Sequence, residues 1–199
     1  MALEHGCDGF EFDVRMTADR QPVVCHDPKF CGVSVARSSY DRLCEAGSKK
    51  NKEISRFEDV LALGTRAFLN VELKVGGAEE AVIELLRKYP ARRGVVVSSF
   101  LPAVIWKLYE LRAGFDLGII CENKRQFAGW MRLPIDAVML HHSLVNKKCV
   151  EEMQHVGKRV FVWTVNGARE MRKFAGMGVD GIISDDTKGL VRTVALVGT

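Results

Sequence analysis

No apolar run in this sequence approaches the roughly 18 residues of a membrane-spanning helix, which excludes stable insertion as a helical membrane protein. No secretory pattern opens the chain, because Glu4, His5 and Asp8 interrupt it. Six cysteines occur, yet none form a CxxC pair and no spacing suits zinc. Scattered through a chain long enough to build its own core, Cys7, Cys25, Cys31, Cys44, Cys121 and Cys149 predict reduced thiols and a cytoplasmic setting. Charge is not one-sided either. A net +4 spread along 199 residues gives no support to nucleic-acid binding, and Lys49-Lys50-Asn51-Lys52 reads as a solvated loop. A glycine-rich phosphate loop after an early strand is also missing, which argues against a doubly wound dinucleotide fold.

What is present is an ordinary globular composition, 47% hydrophobic and 27% charged, with no linker or composition shift to divide it. The pattern predicts a single domain over 1–199. Short β-rich runs alternate with helical stretches, which favours a parallel sheet with crossover helices. The predicted strands are 9–15, 67–75, 94–100, 116–121, 136–141, 159–165 and 181–184. Helices are predicted near 79–89, 102–113, 123–132, 146–156, 168–177 and 187–197, with glycines such as Gly114, Gly157 and Gly178 at the joints. Residues 17–63 interrupt this rhythm with a short strand, Pro22 to Cys25, a polar loop, and helical pieces around 39–45 and 55–63. Seven strand–helix units are one short of a (β/α)8 barrel. Met1 to Gly6 reads as the tail of a helix, so the expected fold is α/β, a TIM (β/α)8 barrel lacking its first strand and most of its first helix.

Two of the strands carry charge in an unusual way. In Gly9-Phe10-Glu11-Phe12-Asp13-Val14 and Asn70-Val71-Glu72-Leu73-Lys74-Val75, charged residues stand at i and i+2. Alternate side chains on a strand face opposite ways, so Glu11 and Asp13 share one face, as do Glu72 and Lys74. Buried charges are costly unless paired or bound to an ion, so the pattern points to a site. In a barrel that site forms where strands end. Three carboxylates without a cysteine make a hard oxygen site, suited to Mg²⁺ or Ca²⁺. The competing expectation is an internal ion-pair network around Lys74 or Arg15. His26-Asp27 closes the short strand and reaches toward the same mouth, where a neutral imidazole can serve as general acid or base. A His-Asp-Pro turn is equally at home as a structural cap.

These segments carry a resemblance. Residues 6–15, Gly-Cys-Asp-Gly-Phe-Glu-Phe-Asp-Val-Arg, followed by Pro22-Val23-Val24-Cys25-His26-Asp27-Pro28, resemble the glycerophosphodiester phosphodiesterase family. Residues 53–61 resemble its next helix, and Phe68-Leu69-Asn70-Val71-Glu72-Leu73-Lys74 its second acidic strand. Ser99-Phe100, Trp163-Thr164-Val165-Asn166 and residues 178–185 are similar to its late barrel. The resemblance implies a TIM barrel that hydrolyses glycerophosphodiesters to sn-glycerol 3-phosphate and an alcohol. It implies a divalent metal, Mg²⁺ or Ca²⁺, on Glu11, Asp13 and Glu72, with His26 as one of two catalytic histidines. Lys74 would contact the phosphate, and Trp163 would wall the glycerol side or serve as a core aromatic.

The sequence departs from the family pattern at its beginning. That pattern's first strand ends in His-Arg-Gly and is followed by Pro-Glu-Asn, and neither occurs here. His5 precedes its strand and is expected near the opposite barrel face, while His141 and His142 end another strand. The expected partner is a small-molecule diester, with a homodimer through exposed barrel edges. Two alternatives stand beside this enzyme. One is a truncated or non-catalytic relative that binds metal or phosphate esters, the other a phospholipase D-like enzyme acting on lysophospholipids.

Overall fold

The computed structural model describes residues 2–63 and 66–195. Strand β1 (Gly9–Met16) is followed by β2 (Pro22–Val24), the small hairpin β3 (Lys29–Phe30) and β4 (Val33–Ser34), and helix α1 (Tyr40–Ser48). Then come β5 (Ser55–Arg56), α2 (Phe57–Leu63), β6 (Phe68–Leu73), α3 (Glu79–Lys88), β7 (Val95–Ser99) and α4 (Pro102–Glu110). The second half continues with β8 (Asp116–Cys121), α5 (Lys124–Phe127), β9 (Ala137–His141), α6 (Lys147–His155) and β10 (Arg159–Trp163). It closes with α7 (Ala168–Gly176), β11 (Gly181–Ile182) and α8 (Thr187–Ala195).

One nine-stranded sheet runs β11-β10-β9-β8-β7-β6-β1-β2-β5. β1 and β6 to β11 are parallel neighbours, each successive pair from β6 onward joined by a helical crossover, as the alternating pattern predicts. β2 and β5 extend the sheet antiparallel. Among the described residues no ladder joins β11 to β1, and an opening of about 1330 Å³ lies between them. All six cysteines are free thiols. Burial pushes the Cys121 thiol up to about 12, which suits a small core residue.

The apolar faces divide into layers. Phe12, Val14, Val71 and Leu73 join Phe57, Leu61 and Val82 in the core between sheet and helices. Val96, Ile120, Met139 and Phe161 fill the inward side of the sheet. Small residues opposite large ones make that filling possible. A Cβ on Gly118 would lie 2.7 Å from Met139 Sδ, and one on Gly181 would strike the Phe161 ring. A third cluster, Val23, Val35, Leu43 and Ile54, supports the excursion after β1.

Several local expectations are corrected. Residues 2–6 form hydrogen-bonded turns instead of a helix tail, with Gly6 N–H donating to the Leu3 carbonyl at 3.0 Å. The stretch 123–132 is broken: α5 ends after four residues and a 3₁₀ turn follows at Trp130–Arg132. Gly129, between the two pieces, favours the break. Ser55–Arg56 is an edge strand on β2, not the start of a helix. α8 is described to Ala195, and the last two residues of the predicted helix lie outside the described residues.

Candidate active site

β1 and β6 pair with Glu11 opposite Asn70 and Asp13 opposite Glu72. Because their neighbours Phe12, Val14, Val71 and Leu73 are drawn into the outer core, strand alternation turns these four polar residues inward. Backbone bonds bring two further segments to the same end. The Cys25 N–H donates to the Asp13 carbonyl at 2.9 Å, and the Lys74 N–H to the Val14 carbonyl at 3.1 Å. Arg15 Nε and Nη2 donate to the His26 carbonyl at 3.0 and 2.8 Å, tying down the His-Asp turn.

Glu11, Asp13 and Glu72 each offer an oxygen, all within 4.8 Å of one another. Lys74 Nζ sits 2.7 Å from Glu72 Oε1 and 3.1 Å from Asp13 Oδ1. The buried Glu72 Oε1 nevertheless meets no hydrogen-bond geometry with any described residue, so the approach of Lys74 leaves its acceptor capacity unused. Burial, then the charges of Asp13 and Glu72, push the Glu11 carboxyl up to about 8, with Lys74 acting the other way and Asp185 adding to the rise. Burial likewise raises Glu72, against the pull of Lys74. Burial works against the Lys74 ammonium, yet Glu72 and then Asp13 hold its pKa above that of an ordinary lysine. Three crowded carboxylates, one cation and an unsatisfied buried oxygen form a donor set that fits a hard divalent ion. Arg15 takes no part in the ion pairing, so of the two centres expected for a network only Lys74 is one.

The same residues line a cavity of about 330 Å³ together with His26, Phe100, Glu122 and Trp163. His26 is exposed at the rim, and its Nδ1 lies 2.9 Å from Asp27 Oδ1. Trp163 Nε1 donates to the Met139 carbonyl at 3.2 Å, and its ring meets Phe100 edge to face at 5.7 Å. The six residues singled out from the sequence therefore converge on one cavity. His5 does not join them; its Nδ1 lies 2.7 Å from Thr187 Oγ1. His141 packs against His142 and Trp163 without lining the cavity. Three residues of the site escaped the sequence reading. Asn70, which accepts a bond from Ser98 Oγ at 2.8 Å, was signalled by standing at i−2 from Glu72. Glu122 was signalled only by following a strand, and Asp185, felt by Glu11, by ending one.

Comparison with known proteins agrees with this geometry. The sequence model of the glycerophosphoryl diester phosphodiesterase family matches residues 1–81 and 70–188. A glycerophosphodiester phosphodiesterase from Caldanaerobacter subterraneus subsp. tengcongensis is 28% identical over 97% of this chain and 88% of its own length. One from Bacillus altitudinis is 26% identical over 92% of this chain and 85% of its own. Among solved structures, the Thermotoga maritima glycerophosphodiester phosphodiesterase superposes with a TM-score of 0.80 at 23% identity, covering 96% of this chain and 87% of that one. An Oleispira antarctica phosphodiesterase, solved with its product sn-glycerol-3-phosphate, gives a TM-score of 0.83 at 20% identity, covering 98% and 88%. These structural likenesses show the TIM-barrel fold. With the family match spanning nearly all of the described residues, the chain belongs to the glycerophosphoryl diester phosphodiesterase family, a family of phosphoric diester hydrolases.

Proposed function

We propose that this chain, as one domain, hydrolyses glycerophosphodiesters to sn-glycerol 3-phosphate and an alcohol, using Mg²⁺ or Ca²⁺ held by Glu11, Asp13 and Glu72. The observation that carries this is the meeting of three carboxylate oxygens within 4.8 Å around a buried Glu72 oxygen that lacks a hydrogen bond. When bound, such an ion supplies positive charge against the phosphoryl oxygens. Lys74, kept protonated by its two acidic neighbours, binds the phosphate from the β6 side and offsets the charge that develops on it. Asp27 engages His26 Nδ1, which orients the ring and leaves Nε2 to exchange a proton with the nucleophile or the leaving oxygen. Trp163 walls the glycerol side. No helix among the described residues is long and apolar enough to cross a membrane, and the reading places this enzyme in the cytoplasm on soluble diesters.

The test is release of glycerol 3-phosphate from glycerophosphocholine and glycerophosphoethanolamine by the purified chain with Mg²⁺, Ca²⁺ or EDTA. Metal-dependent release that disappears in His26→Ala is the expected outcome. Absence of release with either metal would instead favour a relative that binds metal or phosphate esters. Release of choline from lysophosphatidylcholine, with no action on the soluble diesters, would favour the phospholipase D-like alternative.

A further inference from the structure

We infer that Glu122 selects the alcohol half of the substrate, favouring diesters whose alcohol carries a cationic ammonium group. The inference rests on the diesterase reading above and adds a preference to it. Glu122 directly follows β8 and lines the same 330 Å³ cavity as Glu11, Glu72 and Lys74. Lys74 and Glu122 leave the barrel two strands apart, about 10 Å at the backbone, with the β7 exit and Phe100 between them. The phosphate end of a diester belongs beside Lys74, so one arm of the molecule passes Phe100 toward β8.

The carboxylate at that position is poised for a counter-charge. Its backbone is held in place, because the Glu122 N–H donates to Gln126 Oε1 at 2.8 Å within the capping box that starts α5. Its side chain makes no hydrogen bond or ion pair with any described residue. The neighbouring cavity lining is apolar and aromatic: Phe100, Ile120, Met139 and Trp163. Aromatic faces beside an acid are the surroundings in which an ammonium group is recognised, and Phe100 already lies 5.6 Å from the Lys74 ammonium. The charge balance of the cavity points the same way. Its lining holds four carboxylates, Glu11, Asp13, Glu72 and Glu122, and Lys74 is its lysine or arginine. The first three face Lys74 or a bound cation, whereas Glu122 is left without either. A zwitterionic diester, negative at phosphorus and positive at its alcohol, complements both ends at once. A hydroxyl group would satisfy one acceptor oxygen but leave the charge unanswered.

The test compares kcat/KM for glycerophosphocholine and glycerophosphoethanolamine with that for glycerophosphoglycerol, in the wild type and in Glu122→Gln, at one metal concentration. The wild type is expected to prefer the cationic pair, and the variant to lose about tenfold of that preference, the equivalent of roughly 1.4 kcal/mol. Glu122→Lys should lower the ratio further, and rising salt should erode the wild-type preference. An unchanged ratio overturns the inference. Equal loss on all three substrates also overturns it, assigning Glu122 to the shared glycerol half. Calorimetric Kd values for the same three diesters separate the two readings. A wild type that hydrolyses none of them, yet binds the cationic pair more tightly and loses this in Glu122→Gln, would sink the diesterase reading and uphold the Glu122 assignment.

Discussion

Glu11 shows how crowding converts a surface-type residue into a sensor of its surroundings. Its carboxyl is pushed to about 8 from an ordinary 4.5, chiefly by burial. Below about pH 4.5 both folded and unfolded chains hold this proton. Between there and about pH 8 only the folded chain keeps it, so the metal-free protein loses stability as pH rises through that window. The slope is at most about 1.4 kcal/mol per pH unit from this group, and the raised Glu72 acts in the same direction. Melting curves of the metal-free protein should therefore shift down from pH 5 to 8, and Glu11→Gln should flatten the shift. A divalent ion needs the carboxylates ionised, so its binding at pH 7 should release protons, visible as a buffer-dependent enthalpy in calorimetry. Glu11→Ala and Glu72→Ala should each abolish thermal stabilisation by Mg²⁺ or Ca²⁺. Unchanged metal-dependent melting in both variants would remove the metal assignment.

On the level of elements, the site depends on the register between β1 and β6. Glu11 stands over Asn70 and Asp13 over Glu72 only because the two strands pair from Gly9 and Phe68 upward. A Cβ on Gly9 would run into the Phe68 carbonyl. Gly9→Ala should therefore cost about 1–3 kcal/mol of stability by denaturant melting. It should also weaken the metal-induced shift, because the carboxylates ride on that ladder. A Gly9→Ala protein with full stability and full metal response would show that the register tolerates the shift. The period-2 charge pattern and the alternation of strands with helices were legible in the sequence, and the seven main strands lie where the pattern places them. The two-residue strands β3, β4 and β5 were not. Segments that short carry no period, and only their partners across the ladder make them strands.

For the whole molecule, the open sheet sets the behaviour. β1 and β11 face each other without a shared ladder, and unpaired edges invite pairing with another chain. The expected result in light scattering after size exclusion is a dimer or larger species, with a broad or low melting transition. A monodisperse monomer that melts cooperatively at high temperature would count against these edges as interfaces. By itself the sequence determined the class of fold, the acidic strands and the identity of the six candidate residues, because strand periodicity and the order of motifs are local properties of the chain. The tertiary structure alone decided which of these side chains share one cavity, that Arg15 serves the backbone of His26, and that Glu122 faces Lys74 across the mouth. Those relations join residues from different strands. They depend on register, on sheet order and on how far burial moves a proton equilibrium, none of which is written in any single stretch of sequence.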